Sequence, residues 1–159
     1  MPSILETIQD GTLREFAPGE DVMAQGTNTH QLWFLVEGAV EVLKDGVQVA
    51  TSAEAGAVFG ELSALLGSDH SATVRALKPC RFLAIESPRE AMERSPALCL
   101  HVCELLAKRL VAVTSYLVDV KQQLGGDDHL GMLDDFLEAL LHRQPRPRVR
   151  PRGSAELAN

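Results

Sequence analysis

Residues 59–74 hold the side chains of this sequence that are best suited to bind a phosphorylated sugar. They read FGELSALLGSDHSATV, in which a glycine and one carboxylate precede a short apolar helical turn and a strand with small hydroxyl side chains. Glycine lets a backbone approach a ligand closely, and the N–H groups at a helix start attract anions. Glu61 is suited to accept hydrogen bonds from a ribose, and Ser71 and Thr73 are suited to donate to phosphate oxygens. The sequence therefore predicts a cradle for a sugar phosphate.

The order of these residues resembles the phosphate-binding cassette of cyclic nucleotide-binding domains, the family of the catabolite activator protein, kinase regulatory subunits and cyclic nucleotide-gated channels. We call residues 59–74 the cassette. The resemblance covers about residues 1–124, because the glycine-punctuated runs 16–20 and 25–38 also fit the family. It implies a mainly β fold, an eight-stranded antiparallel β-roll or jelly-roll barrel with flanking helices. It also implies that a cyclic nucleotide contacts Gly60, Glu61, Leu62, Ser63, His70 and Ser71.

One cassette position departs from the family pattern, since His70 stands where the family has an arginine. Arginine is always charged and holds a phosphate with a planar fork of donors, whereas a histidine with a pKa of about 6.5 is largely neutral at cytoplasmic pH. A lost charge-assisted hydrogen bond costs about 1.5–3 kcal/mol, which is roughly ten- to a hundredfold in affinity. Two interpretations of His70 stay open here: a weak, pH-sensitive phosphate contact, and a loop-tip residue without a ligand role.

The spacing of apolar residues predicts the strands that must position the cassette. Residues 12–86 alternate with a period of two between turn signals, which is typical of a small antiparallel barrel or sandwich. Asp45-Gly46 predicts a two-residue hairpin, because glycine accepts positive φ. We expect the strands at 72–77 and 81–85 to pair with each other across the turn at Lys78-Pro79.

Helical patterns flank these strands. Residues 3–9 predict a short amphipathic helix, Ser87-Pro88 predicts a helix at 88–94, and a long helix runs from about 96 to 124. The apolar residues of the long helix repeat in heptad steps. This favours a homodimer formed through residues 96–124, although the same face is also able to pack on the barrel. The seam consists of Leu106, Leu110, Val113, Leu117, Val120 and Leu124.

Beyond the domain at 1–124, we expect a terminal amphipathic helix within 125–143 and a disordered Pro/Arg tail at 144–159. Five of the fifteen Lys and Arg residues lie in 143–159 against Glu156, so that segment carries +4 and residues 1–142 carry −11. An acidic body repels DNA phosphates, and one helix after the long helix is too few for a helix-turn-helix. We therefore do not expect DNA binding, and the basic tail is the weaker candidate for a nucleic-acid contact.

The cysteines and histidines predict neither a metal site nor an active site. Cys99 and Cys103 share a helix face from which His101 points away, so we expect the cysteines to pack as small apolar residues. No H-E-x-x-H or P-loop motif and no Ser/His/Asp order is present, so we expect no enzyme, metal or cofactor. An odd number of cysteines and the lack of an apolar run near 20 residues fit a cytoplasmic protein without a membrane span.

Two functions follow from these observations. The first is a stand-alone regulatory sensor domain that binds cAMP or cGMP and signals to a partner protein through helix rearrangement. The second is a degenerate cyclic-nucleotide-binding fold that has lost its ligand and acts as a dimeric protein-interaction scaffold. The histidine in the arginine position motivates the second function.

Overall fold

The computed structural model describes residues 3–124, 131 and 134–138. Within 3–124 the strands are β1 (Thr12–Phe16), β2 (Asp21–Met23), β3 (Leu32–Glu37), β4 (Val40–Lys44), β5 (Val47–Ser52), β6 (Val58–Phe59), β7 (Thr73–Ala76) and β8 (Cys80–Ile85). The helices are α1 (Ile4–Thr7), α2 (Glu61–Leu66), α3 (Pro88–Arg94) and α4 (Pro96–Leu124). Residues 134–138 are also helical.

The strands form two four-stranded antiparallel sheets, with the orders β1-β8-β3-β6 and β2-β7-β4-β5. Side chains from both sheets meet in one apolar cluster, which includes Val40 and Val74 from one sheet and Trp33 and Phe82 from the other. Alternation along each strand sends every second side chain to that interior. The prediction of a mainly β, antiparallel roll with flanking helices is confirmed.

The predicted pairing between residues 72–77 and 81–85 is wrong. β7 pairs with β2 and β4, whereas β8 pairs with β1 and β3 in the other sheet. The turn after β7 carries the chain between the sheets, and the Leu77 N–H donates to the Ala39 carbonyl on the way. Such a crossing lets both strands cover the same core from opposite sides, and its short connection looks like a hairpin turn in the sequence.

The central strand β3 is buried on both faces. Trp33 and Leu35 face the cluster between the sheets, whereas Leu32 and Phe34 face a second cluster that the helices cover. That second cluster receives Ala91 and Met92 from α3 and Leu98 and Val102 from α4, with partly buried Ile4, Leu5 and Ile8 from the N-terminal end. The strand therefore links the sheet interior to the helices that follow the sheets.

The hairpin and helix predictions are largely confirmed. Asp45 and Gly46 join β4 to β5 with φ of 51° and 77°, and α3 begins at Pro88. The first helix is shorter than predicted and begins with a capping box between Ser3 and Glu6. Its end at Thr7 leaves Ile8 in an extended conformation.

The chain divides into two compact units, Met1–Ala107 and Lys108–Asn159. In the first unit Leu106 packs against the second apolar cluster. In the second unit Leu110 and Val113 are exposed. Most of the predicted terminal helix within 125–143 and the predicted tail at 144–159 lie outside the described residues. Among the described helices, none is both long and apolar enough to cross a membrane.

Candidate functional site

The cassette begins with a turn that requires glycine. Gly60 follows β6 with φ of 84°, in the left-handed region, and a Cβ at this position would lie 2.7 Å from the Gln31 carbonyl oxygen. Both the conformation and the lack of space exclude a side chain there. The turn makes Glu61 the first residue of α2 and directs its side chain inward, where the residue is only 4% exposed.

The six predicted site residues divide by their exposure. Glu61, Ser63 and His70 are buried polar residues, whereas Leu62 and Ser71 are exposed. The structure thus brings Gly60, Glu61, Ser63 and His70 into the body of the fold, and Leu62 and Ser71 lie at its surface. A role for any of the six in ligand binding stays a prediction.

Both ring nitrogens of His70 are engaged by the protein. The Thr29 backbone N–H donates to Nε2 across 3.1 Å, and the Thr29 hydroxyl lies 3.0 Å from the same nitrogen. Because Nε2 accepts a hydrogen bond, the proton of the neutral ring is on Nδ1, which lies 2.7 Å from Ser63 Oγ and donates to it. His70 therefore ties α2 to the loop between β2 and β3.

The surroundings of His70 favour its neutral form. Burial lowers the pKa of His70 below its usual 6.5, because the charged ring loses hydration. The neighbouring carboxylate of Asp69 acts in the opposite direction, and His30 adds to the decrease in pKa. His70 does not lie at an exposed loop tip, since the residue is 2% exposed, and the two interpretations of its ligand role stay predictions.

Backbone hydrogen bonds reinforce the connection to the β2–β3 loop. The His70 N–H donates to the Thr27 carbonyl at 2.7 Å, and the Gly26 N–H donates to the His70 carbonyl at 2.9 Å. The Asn28 amide donates to the Ser68 carbonyl. The sequence reasoning missed Thr29, because nothing in a local pattern connects two residues that are 41 positions apart.

The end of the cassette meets the β4–β5 hairpin. The Lys44 ammonium donates to the Ser71 carbonyl across 3.0 Å. Thr73 Oγ1 accepts a hydrogen bond from the Gln25 N–H at 2.9 Å, and the Gln25 side chain in turn makes two hydrogen bonds with Asp45. Residue 25 thus connects the cassette strand to the tip of the hairpin.

The basic residue of β7, Arg75, forms an ion pair with Asp21 of β2. Arg75 Nε lies 2.8 Å from an Asp21 carboxylate oxygen, and this hydrogen bond and charge raise the pKa of Arg75. Arg75 alternates with Val74 and Ala76, which are buried between the sheets, so its side chain is on the outer face. The Arg75 side chain therefore points away from the buried residues of the cassette.

The predicted core packing of two cysteines is wrong. Cys99 and Cys103 are exposed, because α4 turns Leu98 and Val102 toward the core instead. His101 is partly buried, with its ring 6.5 Å from that of Phe34. Within the described part of the chain, no group of three or more His, Cys, Asp or Glu residues is arranged to hold a metal ion.

Comparison with known proteins gives the family context. The sequence matches the family profile described as "Cyclic nucleotide-binding domain" over residues 13–94, just over half of the chain. Over 78 residues it is 36% identical to the cAMP-dependent protein kinase regulatory subunit of Yarrowia lipolytica. The aligned region covers 49% of this chain and 20% of that relative. The chain spans a fifth or less of the length of the curated relatives it matches first.

Solved structures share the fold at low sequence identity. A cyclic nucleotide-binding domain from Methylobacillus flagellatus superposes with a TM-score of 0.61 at 20% identity, covering 70% of this chain and 68% of that one. The catabolite activator protein of Thermus thermophilus superposes with a TM-score of 0.58 at 21% identity, covering 83% and 77% of the two chains. At such identities the similarity establishes the fold alone.

Proposed function

The chain belongs to the cyclic nucleotide-binding domain family, and from this premise we propose that it binds cAMP or cGMP at the cassette and signals to a partner protein. The observation that carries the proposal is the turn at Gly60, which only glycine fits and which sets a buried carboxylate at the start of α2. A carboxylate accepts several hydrogen bonds, and the hydroxyl of a nucleotide ribose supplies such a donor. In this proposal the chain catalyses no reaction and works in the cytoplasm, where its cysteines stay reduced.

The route from the cassette to the helices supports a signalling role. α2 contacts α3, and α3 places Ala91 and Met92 in the same apolar cluster as Leu98 and Val102 of α4. Packed elements shift together because a dense core leaves little free volume. A ligand that moves α2 would therefore displace α3 and the first turns of α4, and would change the surface that α4 offers to a partner.

A titration tests the proposed binding directly. The full chain is titrated with cAMP, cGMP and, as a control, 5′-AMP, which shares the base and ribose of cAMP but lacks the cyclic phosphate. We expect saturable heat with at least one cyclic nucleotide and much weaker binding of 5′-AMP. No heat with either cyclic nucleotide up to millimolar concentration would refute the proposal.

A second part of the proposal is a homodimer formed through the α4 seam. Leu110 and Val113 are 45% and 49% exposed in their compact unit, which leaves apolar area for the same helix of a second copy. We expect Leu110→Asp to convert a dimer into a monomer, as measured by light scattering after size-exclusion chromatography. Val111→Asp is the matched control, because Val111 is 66% exposed but lies off the heptad seam. A monomeric wild type, or a dimeric Leu110→Asp variant, would contradict the predicted dimer.

The alternative function is a scaffold that has lost its ligand. His70 favours it, because Thr29 and Ser63 occupy the two ring nitrogens that a phosphate contact would need. In that case neither cyclic nucleotide binds, and the Leu110→Asp variant still loses the dimer. The nucleotide titration therefore separates the sensor from the scaffold, whereas both functions predict the same result for Leu110→Asp.

A further inference from the structure

The cassette contains no cation of its own, although it is the segment proposed to hold a phosphate. Residues 59–74 include neither Lys nor Arg, and they carry two acidic residues, Glu61 and Asp69. Thr29 and Ser63 contact the two ring nitrogens of His70, and burial lowers the pKa of His70. A cyclic nucleotide is an anion, and burying an uncompensated charge is costly. The N–H groups at the start of α2 are the only groups of the cassette that favour an anion in this proposal, so a full compensating charge would come from another element.

We infer that Lys44 supplies this cation, so that the phosphate contact comes from β4 instead of from residue 70. The inference rests on the proposed binding of a cyclic nucleotide and assigns the residue that carries the charge. Its first support is a direct contact, since the Lys44 ammonium lies 3.0 Å from the carbonyl of Ser71, the residue that follows His70. An ammonium has three donors, and this contact uses one of them.

Lys44 is an exposed residue at the end of β4, on the side of the sheet that Val40 and Val42 share. Val40 is fully buried between the sheets and Val42 packs against the same cluster, so the side chain two residues further emerges on that face at the end of the strand. The pairing of β4 with β7 is regular up to Leu43 and Thr73. The next residue of β4 therefore lies beside cassette residues 71 and 72, just before β7 begins.

The hairpin tip fixes the backbone from which Lys44 projects. Asp45 follows it directly, and the Gln25 side chain both donates to the Asp45 carboxylate at 2.7 Å and accepts from the Asp45 N–H at 2.9 Å. This pair connects the tip of the hairpin to the loop after β2, and the Gln25 N–H also donates to Thr73 Oγ1. The Lys44 backbone is thus held next to the cassette, and its side chain is exposed.

The test is a double-mutant cycle read by calorimetric titration of the full chain. The ligand is whichever of cAMP and cGMP binds the wild type more tightly. We expect Lys44→Gln to weaken binding about ten- to a hundredfold, the loss expected for one charge-assisted hydrogen bond. Lys78→Gln is the matched control, because it removes the same charge from an exposed turn residue, and it should change affinity less than about threefold.

A rescue separates a phosphate contact from a purely structural role. His70→Arg provides a charged fork at the family position, so it should recover most of the affinity in the Lys44→Gln background and gain less in the wild type. A structural effect of Lys44 through the Ser71 carbonyl would not be rescued in this way. Thermal melts of all variants identify any loss of binding that is due to unfolding, and Lys44→Arg, which keeps the charge, should stay near wild-type affinity.

The outcomes distinguish this inference from the proposed function. A wild type that binds and a Lys44→Gln variant of equal affinity would overturn the role of Lys44 and leave the sensor proposal standing. Equal gains from His70→Arg in both backgrounds would also overturn it. A wild type that binds neither nucleotide would overturn both proposals.

Discussion

The two ends of the cassette are built on different principles. At residues 60–63 a glycine turn and a buried carboxylate have the arrangement that the family pattern implies. At residues 68–71 the protein's own groups, above all Thr29 and Ser63, satisfy the polar atoms of His70. We call residues 60–63 the shaped end, which is the end proposed to bind the sugar, and residues 68–71 the fastened end, which is tied to the β2–β3 loop. In the proposed function, the sugar and the charge of the phosphate are therefore recognised by different parts of the site.

The largest expected effect breaks the shaped end. Gly60→Ala introduces a left-handed residue, which costs about 1–2 kcal/mol, and a clash with the Gln31 carbonyl, which adds about 1–3 kcal/mol. We expect a loss of about 2–5 kcal/mol in the free energy of unfolding, measured by urea denaturation. Gly19→Ala is the control, because Gly19 has a similar φ of 86° with nothing within 4 Å of the added Cβ. Equal losses in the two variants would show that the close approach at Gly60 has no energetic weight.

A smaller effect tests the chemistry of the same end. Glu61→Gln keeps the shape of the side chain and removes its charge, so the ribose hydrogen bond changes from charge-assisted to neutral. We expect affinity for the cyclic nucleotide to fall about tenfold, which is about 1.4 kcal/mol, as measured by calorimetric titration. The exposed Glu54 provides the control variant Glu54→Gln, which should bind like the wild type. Unchanged affinity in Glu61→Gln would remove the ribose role from Glu61.

The smallest effect sharpens the description of the fastened end. The folded state lowers the pKa of His70 below the unfolded value near 6.5, so the unfolded chain binds more protons below that pH. Stability is therefore fully present above about pH 6.5 and decreases as the pH falls from there toward the lower pKa of the folded state. Protonation also removes the acceptor for the Thr29 N–H.

Thermal melts at several pH values measure this dependence. The control is His70→Gln, which does not titrate and so should show a smaller loss of melting temperature between neutral pH and pH 5.5 than the wild type. The remaining loss reports the other titrating groups. Identical pH profiles in the two proteins would show that the proton on His70 has no influence on folding.

Local patterns predicted the local features of the fold well. The hairpin at Asp45-Gly46, the helix start at Pro88 and the extent of α4 each depend on residues that are close in sequence, and each was recovered. The start of α2 after the glycine of the cassette was recovered for the same reason, since Gly60 and Glu61 are neighbours. The turn chemistry of glycine and proline acts over a few residues, so it is visible in a sequence.

Features that depend on distant contacts were not predicted. The turn at Lys78-Pro79 looks like a hairpin, but the chain crosses between sheets there because both strands are needed to enclose one core. Cys99 and Cys103 were expected in the core, yet the rotation of α4 about its axis, set by the packing of Leu98 and Val102, leaves them exposed. A helical pattern of short apolar residues does not specify which of two adjacent faces is buried.

The family, the β-roll and the glycine turn that opens the cassette were predictable from the sequence, because they depend on residue types at short and regular spacings. The hydrogen-bond partners of His70 and the contact of Lys44 with the cassette became visible in the folded structure alone. Those depend on partners that lie 41 and 27 residues away along the chain. Hydrogen bonds of such separation form only when the sheets have assembled, since their geometry is set by strand register and core packing and by no local preference of the chain.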